Sequence, residues 1–525
     1  MKVAYVLSGR SFDTELVLAA QEQLGWRPVM WLGDQRHIAF ARRRFSGECY
    51  SFGYSDFLGE GGVAVGPTEV PYSPAVVEKY EAFISSAEFR YWEPMLLGEL
   101  NRLTELRFMR LVDREVRVRE IVLALVSRYV ASEPDLFYAR ETPHNVVDLS
   151  AFYLAKYLGI PTLFFQPTST IGPNLVARTD LDQFFQMPRS TSELVQTGER
   201  SVSVFRSAVA SELLAGLGEG GPPVRMLAEL RTESEKRQVA RERRIVIRGR
   251  TNSSVFFWRR LKSLVGLGRR FRGGADWDRR IADILYAGWQ KAFIETVGRL
   301  PSGDDPVGWG GEGEGFAVFP LHYQPERTSI PEGSPFAFQG DVVAQARATL
   351  RPDITLVVKE HASQVSKSRS GYLGRSKDFY RLVGSLPNTK IVGVDWPLKE
   401  RLGQATVCFT MTGSIGVEAA LAGVPVVYFG NPWWSGMPGS TRFERDAPLP
   451  EASTDPDERR ELADAAKDFL LSLVGERAIA GFGTPSQERF WSAHLDLPPE
   501  FREVELASAI AVMAKFTIRL RELAS

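Results

Sequence analysis

Thr406-Val407-Cys408-Phe409-Thr410-Met411-Thr412-Gly413-Ser414-Ile415-Gly416-Val417-Glu418 reads as a buried strand over Thr406–Thr410, a turn of small residues, and a helix that begins at Ser414 and runs to Ala422. The small residues let a ligand approach the backbone, and the helix start offers unpaired N–H groups and the positive end of a dipole. Four further short apolar runs surround this unit: Phe316–Pro320, Ile354–Lys359, Lys390–Val394 and Pro425–Phe429. They alternate with helix-like stretches at Asp341–Leu350, Ser376–Gly384 and Leu398–Leu402, which predicts a doubly wound parallel sheet. Polar helices are expected over Asp457–Leu473 and Val504–Leu523.

The first third repeats the pattern more loosely. Val3–Leu7 is a strand, Asp13-Thr14 can cap a helix over Glu15–Leu24, and Pro28–Leu32 is a second strand. Long helices are expected over Val76–Val130, followed by a strand at Leu136–Ala139, a helix over Val146–Leu158 and a strand at Pro161–Phe165. The fold class is therefore α/β with two Rossmann-like domains. We place an N-terminal domain at 1–186, a basic helical linker or insertion at 187–285, a C-terminal domain at 286–475 and a helical extension at 476–525.

Composition narrows the function. The 525 residues carry 64 Lys plus Arg and 64 Asp plus Glu, so total charge does not point to nucleic acid. Two cysteines, Cys49 and Cys408, are too few for a disulfide framework or a Cys-rich metal site, which fits a cytoplasmic protein. No stretch reaches the ~18–20 apolar residues of a membrane span. In the insertion, Val255-Phe256-Phe257-Trp258 and Leu261, Leu264, Val265 and Leu267 interleave with Arg259, Arg260, Arg269 and Arg270. Arg259–Arg272 could hold the protein at an anionic inner-membrane surface, or form a solvated helical face.

Ligands of open parallel sheets sit outside the carboxyl ends of the strands. Here those ends lead into His322-Tyr323-Gln324-Pro325-Glu326-Arg327, Lys359-Glu360-His361, Thr412-Gly413-Ser414 and Gly430-Asn431-Pro432. Alternation along the strand would place Lys359 and His361 on one side as two possible cations and turn Glu360 away. Ser414 as an ordinary helix cap, with Gly416 serving only helix–sheet packing, is the plainer reading of the third loop. No metal-binding His pair, P-loop or nucleophile elbow is present in the sequence.

Pro320-Leu321-His322-Tyr323-Gln324-Pro325-Glu326, Lys359-Glu360-His361 and Thr412 to Glu418, in this order, resemble the bacterial capsule polysaccharide biosynthesis family, which includes β-Kdo transferases. The resemblance spans roughly Phe316 to Asn431. It implies a GT-B glycosyltransferase for a surface glycan, with two Rossmann-like domains facing a cleft and terminal helices that cross back to the first. It implies no tightly bound cofactor, a nucleotide-sugar as substrate, and a glycan or glycolipid acceptor. On that reading His322, Gln324, Glu326, Lys359, His361, Thr412, Gly413, Ser414 and Glu418 hold the donor. Related CMP-sugar enzymes carry a His-Pro pair, whereas His361 precedes Ala362, which leaves CMP-sugar and UDP-sugar both open.

Glycosyl transfer also needs a base, so Glu141 and His144, after the Leu136–Ala139 strand, join His361 as catalytic candidates. Asp13 and Asp148 are rivals, each also readable as a helix-start carboxylate. A nucleotide-sugar epimerase of the same fold and a non-catalytic glycan-assembly scaffold are the alternatives to transfer.

Overall fold

A computed structural model of the chain describes residues 1–7, 9–45, 49–53, 73–100, 111–168, 172–185, 292–301, 315–324, 326–336, 338–365, 371–473, 478–494, 497 and 499–524. Two compact units result: Met1–Val224 with Lys467–Ser525, and Arg225–Ala466. The expected basic insertion at 187–285, Arg259–Arg272 included, lies outside the described residues.

The first unit contains β1 (Lys2–Val6), α1 (Ser11–Leu24), β2 (Arg27–Gly33), α2 (Gln35–Arg44) and β3 (Tyr50–Gly53). Then come α3 (Pro74–Ser85), α4 (Ala87–Glu99) and α5 (Leu111–Ser132), the long helices expected from the 3.6-residue spacing. Ser73 and Ser86 cap α3 and α4 by accepting from Val76 N–H and Phe89 N–H. β4 (Leu136–Ala139), α6 (Val146–Tyr157), β5 (Thr162–Pro167) and β6 (Asn174–Arg178) follow. The sheet is completed by β13 (Ala478–Ala480), in the order β13-β6-β5-β4-β1-β2-β3. β1 pairs in parallel with both β2 and β4, and Tyr5 lies in register with Trp31 and Tyr138.

β6 and β13 run antiparallel to their neighbours, and neither was anticipated as a strand. Three residues of β13 carry no periodicity; they become a strand because β6 offers an open edge. The last helices, α12 (Pro485–His494) and α13 (Phe501–Ala524), also belong to this unit. Ala509, Ile510, Val512, Met513 and Phe516 of α13 enter the same core as Val3, Leu16, Val17 and Trp26. Burying such side chains is worth about 1.5–3 kcal/mol each, enough to bind a remote segment into the unit.

The second unit has β7 (Phe316–Pro320), α7 (Gln339–Thr349), β8 (Thr355–Lys359), α8 (Lys377–Gly384), β9 (Thr389–Val392) and α9 (Leu398–Leu402). It continues with β10 (Ala405–Thr410), α10 (Ile415–Leu421), β11 (Val426–Tyr428), β12 (Ser440–Arg442) and the first part of α11 (Pro456–Ser472), which passes into the first unit at Lys467. The strand order is β12-β11-β10-β7-β8-β9, with every pairing parallel. Winding goes outward from β7 to β9, then restarts at β10 on the other side of β7. The expected α/β pattern is present in both units, each with a Rossmann-like sheet.

Candidate functional site

The reversal of strand order between β7 and β10 is a topological switch point, where loops leave in opposite directions and open a crevice at the carboxyl ends. β7 feeds His322 into this point and β10 feeds in Thr410–Ser414. His322 N–H donates to Gln339 Oε1 (2.8 Å), and its carbonyl accepts from Arg375 Nη2 (2.6 Å). Its ring Nε2 lies 3.1 Å from Thr410 Oγ1 and 3.4 Å from the Thr412 backbone N. Burial, helped by the Arg375 charge, pushes its pKa down to about 3. His322 is therefore neutral at physiological pH.

The loop after β10 is closely packed. Thr412 Oγ1 donates to Thr328 O (2.7 Å), and Gly413 N–H donates to Thr410 Oγ1 (3.1 Å). A side chain at Gly413 would meet His322 Nε2 at 3.1 Å. Ser414 does not cap α10 through its side chain, so the plain N-cap reading is corrected: the residue has helical angles (φ −59°, ψ −18°) and makes no side-chain cap bond. Gly416 does serve packing, against Trp434, where a Cβ would lie 2.3 Å from the indole. Gly416→Ala is expected to lower the unfolding free energy by about 1–3 kcal/mol, because neither helix nor ring can yield cheaply. Thermal denaturation checks this. Glu418 is half-buried, in the first turn of α10.

Lys359, at the end of β8, donates through Nζ to Val394 O (3.1 Å) and Glu360 O (3.2 Å), so backbone carbonyls hold its ammonium. His361 is half-buried, and its Nδ1 accepts from Ser363 N–H (3.0 Å). That bond places the proton of the neutral ring on Nε2. Glu360 is fully buried, paired with Arg375 Nε (3.2 Å) and accepting from Tyr380 O–H (2.6 Å). Gln324 is buried, and its side-chain carbonyl accepts from Arg375 Nη1 (2.6 Å). Glu326 is half-buried and closes a turn: its carboxylate accepts from Thr328 (3.1 Å) and its carbonyl from Ser329 N–H and Ile330 N–H.

The structure thus brings His322, Thr412 and Gly413 into direct contact. Gln324 and Glu360 join them through Arg375, a residue missed from sequence. Nothing in Gly374-Arg375-Ser376 distinguishes this arginine from a surface one; only folding brings three loops onto its guanidinium.

In the first unit the switch point lies between β1 and β4. Glu141 Oε2 is 3.9 Å from His144 Nδ1, and both side chains are partly exposed. His144 Nδ1 also lies 2.8 Å from Thr142 O, so in the neutral ring Nδ1–H donates there. The two expected base candidates therefore lie side by side. The rival carboxylates brace backbone instead. Asp148 Oδ2 accepts from His144 N–H (3.3 Å), with Asn145 as the side-chain cap of α6. Asp13 is fully buried and accepts from Gly9 N–H and Arg10 N–H (both 3.0 Å). Asp13 is thus inside α1, which starts at Ser11 and not after an Asp13-Thr14 cap.

Beside Glu141 sits a buried ion cluster that the sequence did not reveal. Glu505 of α13 receives both terminal nitrogens of Arg10 (2.5 and 2.9 Å), Nη2 of Arg140 (2.5 Å) and the N–H of Phe482 (2.9 Å). Arg10 also reaches Glu488 (3.0 Å) and Phe482 O (2.9 Å). Burial alone would raise the Glu505 carboxyl, but hydrogen bonding from Arg10 and the charges of Arg140 and Arg10 outweigh it and hold the group below the usual value.

Among the described residues no group of three or more His, Cys, Asp or Glu could hold a metal ion, and no helix is long and apolar enough to cross a membrane.

Fold and strand-end sites define a two-domain α/β protein with a Rossmann-like sheet in each domain. No family model matches the sequence, and no characterised protein is similar enough in sequence to count as a relative. Solved structures similar to the chain include the β-Kdo 2,4 transferase KpsC of Thermosulfurimonas dismutans, 12% identical over 63% of this chain and 78% of that one, TM-score 0.26. A UDP-GlcNAc 2-epimerase from Neisseria meningitidis is 12% identical over the full length of both chains, TM-score 0.19. The glycotransferase of kitacinnamycin is 15% identical over 99% of this chain and 98% of that one, TM-score 0.18.

Proposed function

We propose that the protein is a GT-B glycosyltransferase that moves a sugar, Kdo or another capsule sugar, from a CMP- or UDP-sugar to a surface polysaccharide or glycolipid. No metal or tightly bound cofactor takes part, and the anomeric configuration is inverted. The observation that carries this reading is the meeting of His322 and the Thr410–Ser414 loop at the β7/β10 switch point. There the leaving phosphate would meet a neutral imidazole, the start of α10 and the Nε2–H of His361. The acceptor hydroxyl attacks the anomeric carbon, the bond from that carbon to the phosphate oxygen breaks, and the hydroxyl proton passes to Glu141 or His144. Gln324, Glu326 and Lys359 support this site through the loops they tie, and Glu418 extends it along α10. Membrane attachment through Arg259–Arg272 rests on the sequence; vesicle flotation that is unchanged when Arg259, Arg260, Arg269 and Arg270 become Glu would overturn it.

Calorimetric titration with CMP, UDP, GDP and their sugars tests the reading. One nucleotide should bind wild type selectively. His361→Ala should weaken it about tenfold or more, since 1.4 kcal/mol is a factor of ten and a hydrogen bond to a charged group contributes about 1.5–3 kcal/mol. Glu141→Gln should bind normally and transfer poorly. Conversion of a nucleotide-sugar without acceptor would favour an epimerase, and no binding to any nucleotide would favour a glycan-assembly scaffold.

A further inference from the structure

His322 is enclosed on most sides by groups whose hydrogen-bonding sense is determined. The Thr412 backbone can only donate, and its N–H points at ring Nε2. Thr410 Oγ1 accepts the N–H of Gly413, and its own proton is then available for Nε2. If Nε2 carried a proton, it would face the Thr412 N–H, donor against donor. The Thr412 N–H therefore requires a lone pair on Nε2, and the Thr410 hydroxyl can donate to the same atom, which puts the ring proton on Nδ1. Gln339 and Arg375 occupy the backbone N–H and carbonyl of His322, which holds its backbone in place beside the loop. Nδ1 has no hydrogen-bond partner among the described residues.

We propose that His322 is a positioning residue locked as the neutral Nδ1–H tautomer, its Nε2 lone pair anchoring the Thr410–Gly413 loop while Nδ1–H is offered to an anionic oxygen of the ligand. The second half rests on the nucleotide-sugar reading; the first does not. A neutral donor recognises phosphate oxygen without itself titrating, so the charge of this side of the site stays constant across the physiological range. The ring is met by Thr410 at the end of β10 and Thr412 after it, and the His322 backbone by Gln339 of α7 and Arg375 before α8, with Glu360 of the β8 loop behind Arg375. The Arg375 charge opposes protonation of His322 in the same direction as burial.

The test is nitrogen NMR of the full chain labelled at its five histidines, without ligand, from pH 8 to pH 5. The His322 resonance is assigned by its loss in His322→Gln and independently in His322→Asn. A pyrrole-like Nδ1 and a pyridine-like Nε2, unchanged across the range, are the expected result. An imidazolium pattern by pH 5, or a proton on Nε2, would overturn the proposal. Uridine diphosphate and cytidine monophosphate are then titrated into both variants. Glutamine can reach the Nε2 position and keep the loop anchored, so it should lose at least tenfold in affinity with little change in melting temperature. Asparagine can place an N–H near Nδ1 but leaves the loop without its acceptor, so it should melt earlier. Equal behaviour of the two variants would count against the division of roles. If wild type binds neither nucleotide, the nucleotide reading falls, while the NMR result still decides the tautomer.

Discussion

Glu505→Gln is expected to destabilise the first unit by about 3–5 kcal/mol, the usual cost of breaking a buried ion pair from one side. Arg10 and Arg140 would both lose the carboxylate that compensates them, in surroundings where neither guanidinium can reach bulk water. Denaturant unfolding, followed by fluorescence of the nearby buried Trp26 and Trp31, reads the loss. Arg502→Ala removes the half-exposed pair with Glu15 and serves as the control, at about 0–1 kcal/mol. A Glu505→Gln protein as stable as wild type would show that the cluster is not what holds α13.

The same group predicts a pH dependence. Its folded-state value is depressed below that of an unfolded glutamate, about 4.3. Its contribution is therefore complete above that value and lost as pH falls through the folded value. Acid should release α13 in wild type, and Glu505→Gln should show a flatter acid limb.

Arg375→Met carries the second large effect. It strands the buried Glu360 carboxylate beside Tyr380, and it removes the Arg375 donor from Gln324 Oε1 and from the His322 carbonyl, which keeps only Gln339 Nε2. We expect a loss of about 3–5 kcal/mol in the second unit and no measurable nucleotide binding at temperatures where the unit remains folded. Adding Glu360→Met should recover part of the stability, since an apolar pair no longer contains an unpaired charge, but not the binding, since the His322 loop stays untied. A single variant costing under about 1 kcal/mol would refute the network. Recovery of binding in the double variant would show that Arg375 acts only by neutralising Glu360.

Much of this architecture was legible in the chain. The five strand runs between Phe316 and Phe429 appear within a residue or two of their expected ends, because each is a parallel strand, largely buried except for the edge strand β9, whose apolar content has no other use. Polar residues at those ends gather at the carboxyl edge of the sheet for the same reason: a parallel sheet has its loops where its strands stop. His322 and Thr412–Gly413, 90 residues apart, were matched by strand order alone.

The side chains at that edge were less legible. Lys359 looks like a free cation in sequence, yet two carbonyls hold its ammonium, and burial keeps the His322 ring neutral. Ser414 looks like a cap and lies within the helical turn. Arg375, Arg10 and Glu505 look like surface charges and form the interior ties of the two units. Strands, helices and the polar loops at the carboxyl edge follow from local periodicity, so the sequence by itself determined them. Protonation, partner choice and the docking of α13 depend on groups up to 495 residues apart, and only the tertiary structure, by removing water from around them, decided those.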